Sequence, residues 1–230
     1  WSSDVCSSDL ADYYAFCDQD DVWYPDRLTT GVDALKKVNP AKPAVFGSRT
    51  ELIDKQGVTI GYSPLFEKPP AFANALIQNI AGGNTMLLNA AARHLLSEHA
   101  DLRPVVHDWW AYIAVTGVGG VMIYEPRPLV RYRQHSQNLI GENGSLSAKY
   151  KRLRMIIHGK YRDWNDQNIN CVAKISDRLT VENRITLEAF LQSRSLPALR
   201  RTKTFLQSPL YRQTHLGRHG FPFATLLGRL

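Results

Sequence analysis

Three carboxylates fall within four residues at Asp18-Gln19-Asp20-Asp21. They follow the apolar, aromatic run Tyr13-Tyr14-Ala15-Phe16-Cys17 and precede Val22-Trp23-Tyr24-Pro25. Like charges this close repel one another, and a strand end alone gives no reason to gather them. A hard divalent cation does. Mg²⁺ or Mn²⁺ takes oxygen ligands, commonly one or two carboxylates together with substrate phosphates. An acidic cluster at the C-terminal tip of a strand also suits an open α/β sheet, whose ligands sit outside the carboxyl ends of the strands. The same residues could instead form a solvated acidic turn, with Asp20 or Asp21 capping the helix that Pro25 and Asp26 begin.

Further segments hold reactive or charged groups. Asp108 opens a predicted helix after Val105-Val106-His107, a position where an N-capping aspartate is frequent. Trp109 and Trp110 read as core and cleft wall, or as a ring able to stack on a sugar. In Arg131-Tyr132-Arg133-Gln134-His135, strand alternation places Arg131, Arg133 and His135 on one side. There they could meet a diphosphate, or form a cationic edge that discourages strand pairing. Gly82-Gly83-Asn84-Thr85 lacks the Gly-Lys-Ser/Thr ending of a phosphate-cradling loop. Its glycines permit close backbone approach, or an ordinary tight turn.

Four of these blocks, in this order, carry a family resemblance. Phe16-Cys17-Asp18-Gln19-Asp20-Asp21-Val22-Trp23-Tyr24-Pro25-Asp26-Arg27-Leu28 resembles the D-x-D block of family 2 glycosyltransferases, closest to the rhamnosyltransferase-like branch. Gly82-Gly83-Asn84-Thr85-Met86-Leu87-Leu88-Asn89 looks like the acceptor-side strand. His107-Asp108-Trp109-Trp110 looks like the catalytic-base segment, and Tyr132-Arg133-Gln134-His135-Ser136-Gln137-Asn138 like the late Y-R-Q-H loop. The resemblance spans roughly residues 11–140.

It implies a GT-A α/β fold, a nucleotide-sugar donor whose diphosphate is held by Mg²⁺ or Mn²⁺, and inverting transfer to an acceptor hydroxyl. Asp20 is then the first metal ligand and Asp18 the second, close to the donor ribose, with His135 completing coordination. Arg131, Arg133 and Gln134 lie on the donor side, with Asp21 joining them, orienting a neighbour or capping a helix. Asp108 is the base, with His107 as the alternative. Gly82, Gly83, Asn84, Trp109 and Trp110 face the acceptor. The donor expected of that branch is dTDP-rhamnose and the acceptor a glycan or lipid-linked glycan.

The elements that must position these residues are legible in outline. Asp26 to Val38 reads as a helix with Leu28, Val32, Leu35 and Val38 on one face, ended by Asn39-Pro40. Ala44–Ser48 and Glu51–Asp54 read as strands, Ala71–Ala81 as a helix, Asn84–Leu88 as a strand and Ala90–Glu98 as a helix. Asp108–Val115 is helical, Gly119–Tyr124 a strand and Leu129–Arg133 an extended piece bounded by Pro126 and Pro128. From Ser147 to Phe205 the pattern is mainly helical, with Pro197 breaking or starting a helix. Residues 11–144 therefore read as the C-terminal part of a GT-A domain and 145–230 as a basic helical region.

A complete enzyme of the resembled family carries a nucleotide-binding βαβ half before its D-x-D, whereas 17 residues precede Asp18. Asp4-Val5-Cys6-Ser7-Ser8-Asp9-Leu10 resembles a translated sequencing adapter, so residues 1–10 are set outside the fold. The expectation is a fragment lacking the base- and ribose-binding half and inactive alone.

The chain has 230 residues, 44% hydrophobic, enough to bury a substantial core. Cys6 lies in the adapter-like segment, and Cys17 and Cys171 have no framework spacing, which points to a reducing, cytoplasmic setting without disulfides. The net charge of +7 is asymmetric. Residues 1–144 hold 12 Lys and Arg against 16 Asp and Glu, a net −4, and residues 145–230 hold 16 against 5, a net +11. The basic positions Lys149, Lys151, Arg152, Arg154, Lys160 and Arg162 suit a solvated helix face or anionic lipid head groups at the inner face of the membrane. Nucleic acid is not the expected partner, because no recognised binding pattern accompanies the charges. The alternative from another class is a non-catalytic basic membrane- or nucleic-acid-binding module in which the acids only cap helices.

Overall fold

A computed structural model of the chain describes residues 11–134 and 159–213. One mixed sheet organises the first part. It comprises β1 (Tyr13–Ala15), β2 (Val22–Trp23), β3 (Ala44–Ile53), β4 (Thr59–Tyr62), β5 (Leu87–Asn89) and β6 (Val121–Arg133). The order is β1-β5-β3-β6-β2, and β4 pairs with the far half of β3. Only β3 and β6 run parallel; the other pairings are antiparallel.

β3 is one continuous strand where the sequence suggested two, because it lies in the middle of the sheet and is buried along most of its length. β6 likewise joins two predicted pieces across Pro126 and Pro128. Its register against β3 shifts on either side of Arg49. Prolines cannot donate to the ladder, so the strand bulges there rather than ending.

Helix α1 (Arg27–Leu35) covers one face of the sheet, where Leu35, Phe46, Leu87 and Leu129 form a small core. Of the expected face, Leu35 is in this core and Val32 and Val38 pack against it, but one position differs. Leu28 is exposed, and the buried positions are Arg27, Gly31 and Leu35. A Cβ at Gly31 would lie 3.0 Å from Leu87 and 3.1 Å from Phe46, so glycine lets the helix seat closely.

The larger core lies on the opposite face. α2 (Phe72–Ala75) is shorter than the predicted 71–81, and the chain beyond it leads into a 3₁₀ turn at Gly83–Thr85 that precedes β5. α3 (Ala90–Ser97) starts at Asn89, whose side chain accepts from Ala92 N at 2.9 Å. α4 (His107–Gly117) is buried from Trp109 onward, as its nearly unbroken apolar composition requires.

The second part supplies α5 (Lys160–Ala173), α6 (Val181–Ser195) and α7 (Ala198–Gln207), the last starting after Pro197. Val172, Ile175, Leu187, Phe190 and Phe205 join the same core as α4. A polar clasp closes this region against α2 and the segment after it: Asn74 Nδ2 donates to Tyr211 O at 2.9 Å and Gln213 N to Gln78 Oε1 at 2.9 Å. The expected boundary at residues 144 and 145 lies outside the described residues.

Candidate active site

The D-Q-D-D block forms a tight turn between β1 and β2, with Asp21 N donating to Asp18 O at 3.4 Å. Asp18 is exposed and Asp20 half-buried, so both carboxylates sit at the rim of the sheet. Asp21 turns inward. Its Oδ1 accepts from the backbone N of Arg133 at 3.1 Å, and its Oδ2 accepts from the side-chain amide of Asn84. Burial raises its pKa, and the two donors only partly offset that effect. Neither Asp20 nor Asp21 caps α1, which begins at Asp26 without a side-chain cap.

Asp108 lies in the first turn of α4 rather than at its N-cap, which is Val106. Its Oδ2 accepts from Gly83 N at 3.0 Å and its Oδ1 from Trp109 N at 2.6 Å. Burial pushes its pKa up, opposed by the neighbouring His107 charge, these two N–H bonds and the Asn79 side chain. The His107 ring packs against Phe16, with centroids 4.9 Å apart. A Cβ at Gly83 would fall 2.3 Å from His107 Nε2, so any larger residue there requires the imidazole or the turn to shift.

The consecutive residues Gly83 and Asn84 therefore join two distant carboxylates. The backbone N of Gly83 holds Asp108 and the side chain of Asn84 holds Asp21. Gly82, beside them, is exposed. Four blocks separated in sequence meet at one end of the sheet because each ends or begins an element there.

Other expected site residues have different surroundings. Arg131 donates through Nη2 to Gly57 O at 2.8 Å and pairs through Nε with Glu51 at 3.4 Å, which commits it to the β3–β4 corner. The Arg133 guanidinium donates to Asp20 O at 3.1 Å, Asp54 O at 3.2 Å and Lys55 O at 3.0 Å, so it braces the acidic turn from behind. Gln134 N continues the ladder to Ile53 O at 2.9 Å. Trp109 and Trp110 are both core residues, and Trp109 Nε1 donates to Ala75 O at 2.7 Å. Their burial corresponds to the core alternative. His135 lies outside the described residues, as do Lys149, Lys151, Arg152 and Arg154.

Sequence reasoning missed two residues here. Tyr132, on the opposite side of β6 from Arg131 and Arg133, feels the carboxylates of Asp21, Asp18, Asp20 and Asp108, which add to burial in raising its phenol pKa. Strand alternation could have singled it out. Arg27 is the other, buried beside the acidic turn. As donors for a metal, Asp18 and Asp20 present two hard oxygen ligands, the set that Mg²⁺ or Mn²⁺ takes alongside phosphate oxygens. Among the described residues no group of three or more His, Cys, Asp or Glu converges on one point.

No family model matches the chain. Over 157 residues it is 28% identical to a dTDP-rhamnosyl transferase, RfbG, of Shigella flexneri, an alignment covering 66% of this chain and 53% of that protein. The chain thus spans about half the length of the curated relative it matches.

Proposed function

We propose that this chain carries the metal- and acceptor-side part of a glycosyltransferase site. It would transfer a sugar, rhamnose from dTDP-rhamnose, to a glycan or lipid-linked hydroxyl with inversion. The carrying observation is the Gly83–Asn84 bridge, which joins an acidic turn suited to a donor diphosphate to a separate raised carboxylate. The similarity to a dTDP-rhamnosyl transferase supports the choice of donor.

Asp20 and Asp18 would hold Mg²⁺ or Mn²⁺, which when bound supplies Lewis-acid stabilisation of the diphosphate leaving group. Asp21, fixed by Asn84 and Arg133, keeps the turn in place. Asp108 takes the acceptor hydroxyl proton as that oxygen attacks the anomeric carbon from the face opposite the leaving nucleoside diphosphate. Its raised pKa makes it a stronger base than an exposed carboxylate. Gly83 and Trp109 N–H bonds hold it in one orientation. Arg131 and both tryptophans act as scaffold rather than as substrate contacts.

The natural setting for a lipid-linked acceptor is the cytoplasmic face of the membrane, and α7 offers a contact. Leu199 is 81% and Leu206 64% exposed, and they lie on one face beside Arg200 and Lys203 with no acidic residue in the helix. Among the described residues no helix is long and apolar enough to cross a bilayer. Binding to vesicles containing an anionic lipid, lost in high salt and in Leu199→Ser with Leu206→Ser, tests that contact.

The catalytic reading is tested by nuclear magnetic resonance titration with dTDP and Mg²⁺. Signals of the 18–21 turn and Asn84 should shift with metal present and return on EDTA addition, and Asp20→Asn should abolish the shift. Binding that survives EDTA, or none at millimolar dTDP, would remove the metal–diphosphate assignment.

A further inference from the structure

We propose that Arg27 is a positioning residue for this site, setting the distance between the acidic turn and the Gly83–Asn84 turn. The proposal deepens, and rests on, the glycosyl-transfer reading. Arg27 opens α1 and is only 3% exposed. Its Nη2 donates to Phe16 O at 3.2 Å, where β1 runs out towards Asp18, and to Asn84 O at 2.7 Å. Its guanidinium lies over the Trp23 ring, 3.6 Å from the centroid, on the strand leaving the acidic turn. One planar cation thus closes three segments together: the entry to the acidic turn, its exit, and the 3₁₀ turn.

Stability alone is a poor reason for this residue. Burial lowers its pKa to about 10, offset only in part by the nearby Asp21 carboxylate, so it stays cationic at neutral pH although enclosed. Among the described residues its Nε and Nη1 have no hydrogen-bond partner. A buried charge with donors left over is usually matched or bettered in stability by an apolar side chain of similar volume. Such a side chain cannot hold two carbonyls from separate segments at a fixed spacing. Lysine, a point charge on a flexible stem, does so only in part and cannot stack as a plane on Trp23.

Asn84 is where the geometry bears on chemistry. Arg27 holds its carbonyl, its own amide holds Asp21, and the preceding N–H of Gly83 holds Asp108. A displacement at Asn84 O therefore moves the contacts of both carboxylates together. Small displacements matter, since misplacement of about 1 Å can cost about 10²-fold in rate.

The test compares the whole chain with Arg27→Met and Arg27→Lys by nuclear magnetic resonance, thermal unfolding and titration with dTDP and Mg²⁺. Arg27→Met should keep or raise the melting temperature. It should move the Gly83 backbone and Asn84 side-chain amide protons towards solvent-exposed values and weaken dTDP binding about tenfold or more. Arg27→Lys should recover part of both changes. If wild type fails to bind dTDP yet Arg27→Met still moves the two amide signals, the donor reading fails and the positioning role stands. Unmoved amides overturn the proposal. So do moved amides with unchanged dTDP affinity, or a collapse of thermal stability in both variants.

Discussion

Two corners of the sheet each hold an enclosed carboxylate, and their surroundings drive them in opposite directions. At the β3–β4 corner Glu51 is 5% exposed and accepts from the hydroxyls of Thr59 and Tyr24, with the Arg131 guanidinium 3.4 Å away. Those hydroxyl bonds, with the Arg131 charge, hold its pKa below the ordinary carboxylate range despite burial. At the other corner Asp108 receives two backbone N–H bonds and Asp21 a backbone N–H and an amide. There burial prevails and both pKa values rise. The contrast shows that hydrogen-bond count does not decide the outcome. At Glu51 the two hydroxyl donors and the Arg131 charge outweigh burial. At Asp108 burial outweighs the His107 charge and the Trp109, Gly83 and Asn79 donors, leaving an oriented, more basic carboxylate, the reactive one in the proposed transfer.

The largest effect should come from silencing the reactive corner. In a form of the protein that also carries the donor-binding half, Asp108→Asn keeps the shape and removes the proton acceptor, so turnover should fall by about 10²–10⁴-fold with dTDP binding preserved. Rates of sugar transfer, with the nucleotide titration as control, decide it. A loss confined to folding stability would make Asp108 a structural residue.

Breaking the stabilising corner should act on the fold instead. Glu51→Ala leaves the Tyr24 and Thr59 hydroxyls and the Arg131 guanidinium without their shared acceptor, at a cost of about 3 kcal/mol. Denaturant unfolding measures this, and dTDP titration should show the other corner still working below the transition. A change under about 0.5 kcal/mol would mean solvent replaces Glu51 freely.

Gly83→Ala probes the reactive corner's geometry without touching a charge. The new Cβ would meet His107 Nε2 at 2.3 Å, so the imidazole must move or the 3₁₀ turn must shift. Overpacking of this kind costs about 1–3 kcal/mol. Pairing it with His107→Ala, which opens the space, should restore most of the lost stability. Failure of that rescue would place the strain elsewhere.

The meeting of Asp18–Asp21, Gly83–Asn84, Asp108 and Arg133 was legible through the resemblance of four ordered blocks, whose residue types and spacing alone left each a structural alternative. The partners were not. Apolar periodicity put Leu28 inside, yet Arg27 is the buried residue, since its main acceptor, Asn84 O, lies 57 positions along the chain. Alternation correctly set Arg131 and Arg133 on one side of β6, but nothing local tells that Arg131 meets Glu51 across the parallel β3 ladder. The helix predicted over 71–81 stops at Ala75 in the same way. Phe72 and Ala75 are buried against α4, and from Gln78 onward the chain leaves the helical path to deliver Gly83 beneath His107.

The smallest effect is the pH dependence of stability, and it has opposite signs at the two corners. Glu51 has a lowered folded pKa, so its stabilisation is present above the unfolded carboxylate value of about 4.3 and is lost as pH falls through the folded one. Asp108 has a raised folded pKa. Its favourable contribution is full below the unfolded aspartate value of about 3.9 and is lost as pH rises through the folded one. Relative to Glu51→Gln, wild type should therefore gain stability as pH rises from the acid side to about 4.3. Relative to Asp108→Asn, it should lose stability as pH rises from about 3.9 towards neutrality. Urea unfolding of the three proteins over that range reads both slopes, each unit of pKa shift being worth about 1.4 kcal/mol. In a form of the protein that also carries the donor-binding half, the acid limb of turnover should be displaced upward from the ordinary aspartate value, in the direction of the Asp108 shift. Parallel slopes for the two variants would mean that both carboxylates serve the fold alike, and that the distinction between a stabilising and a reactive corner does not hold.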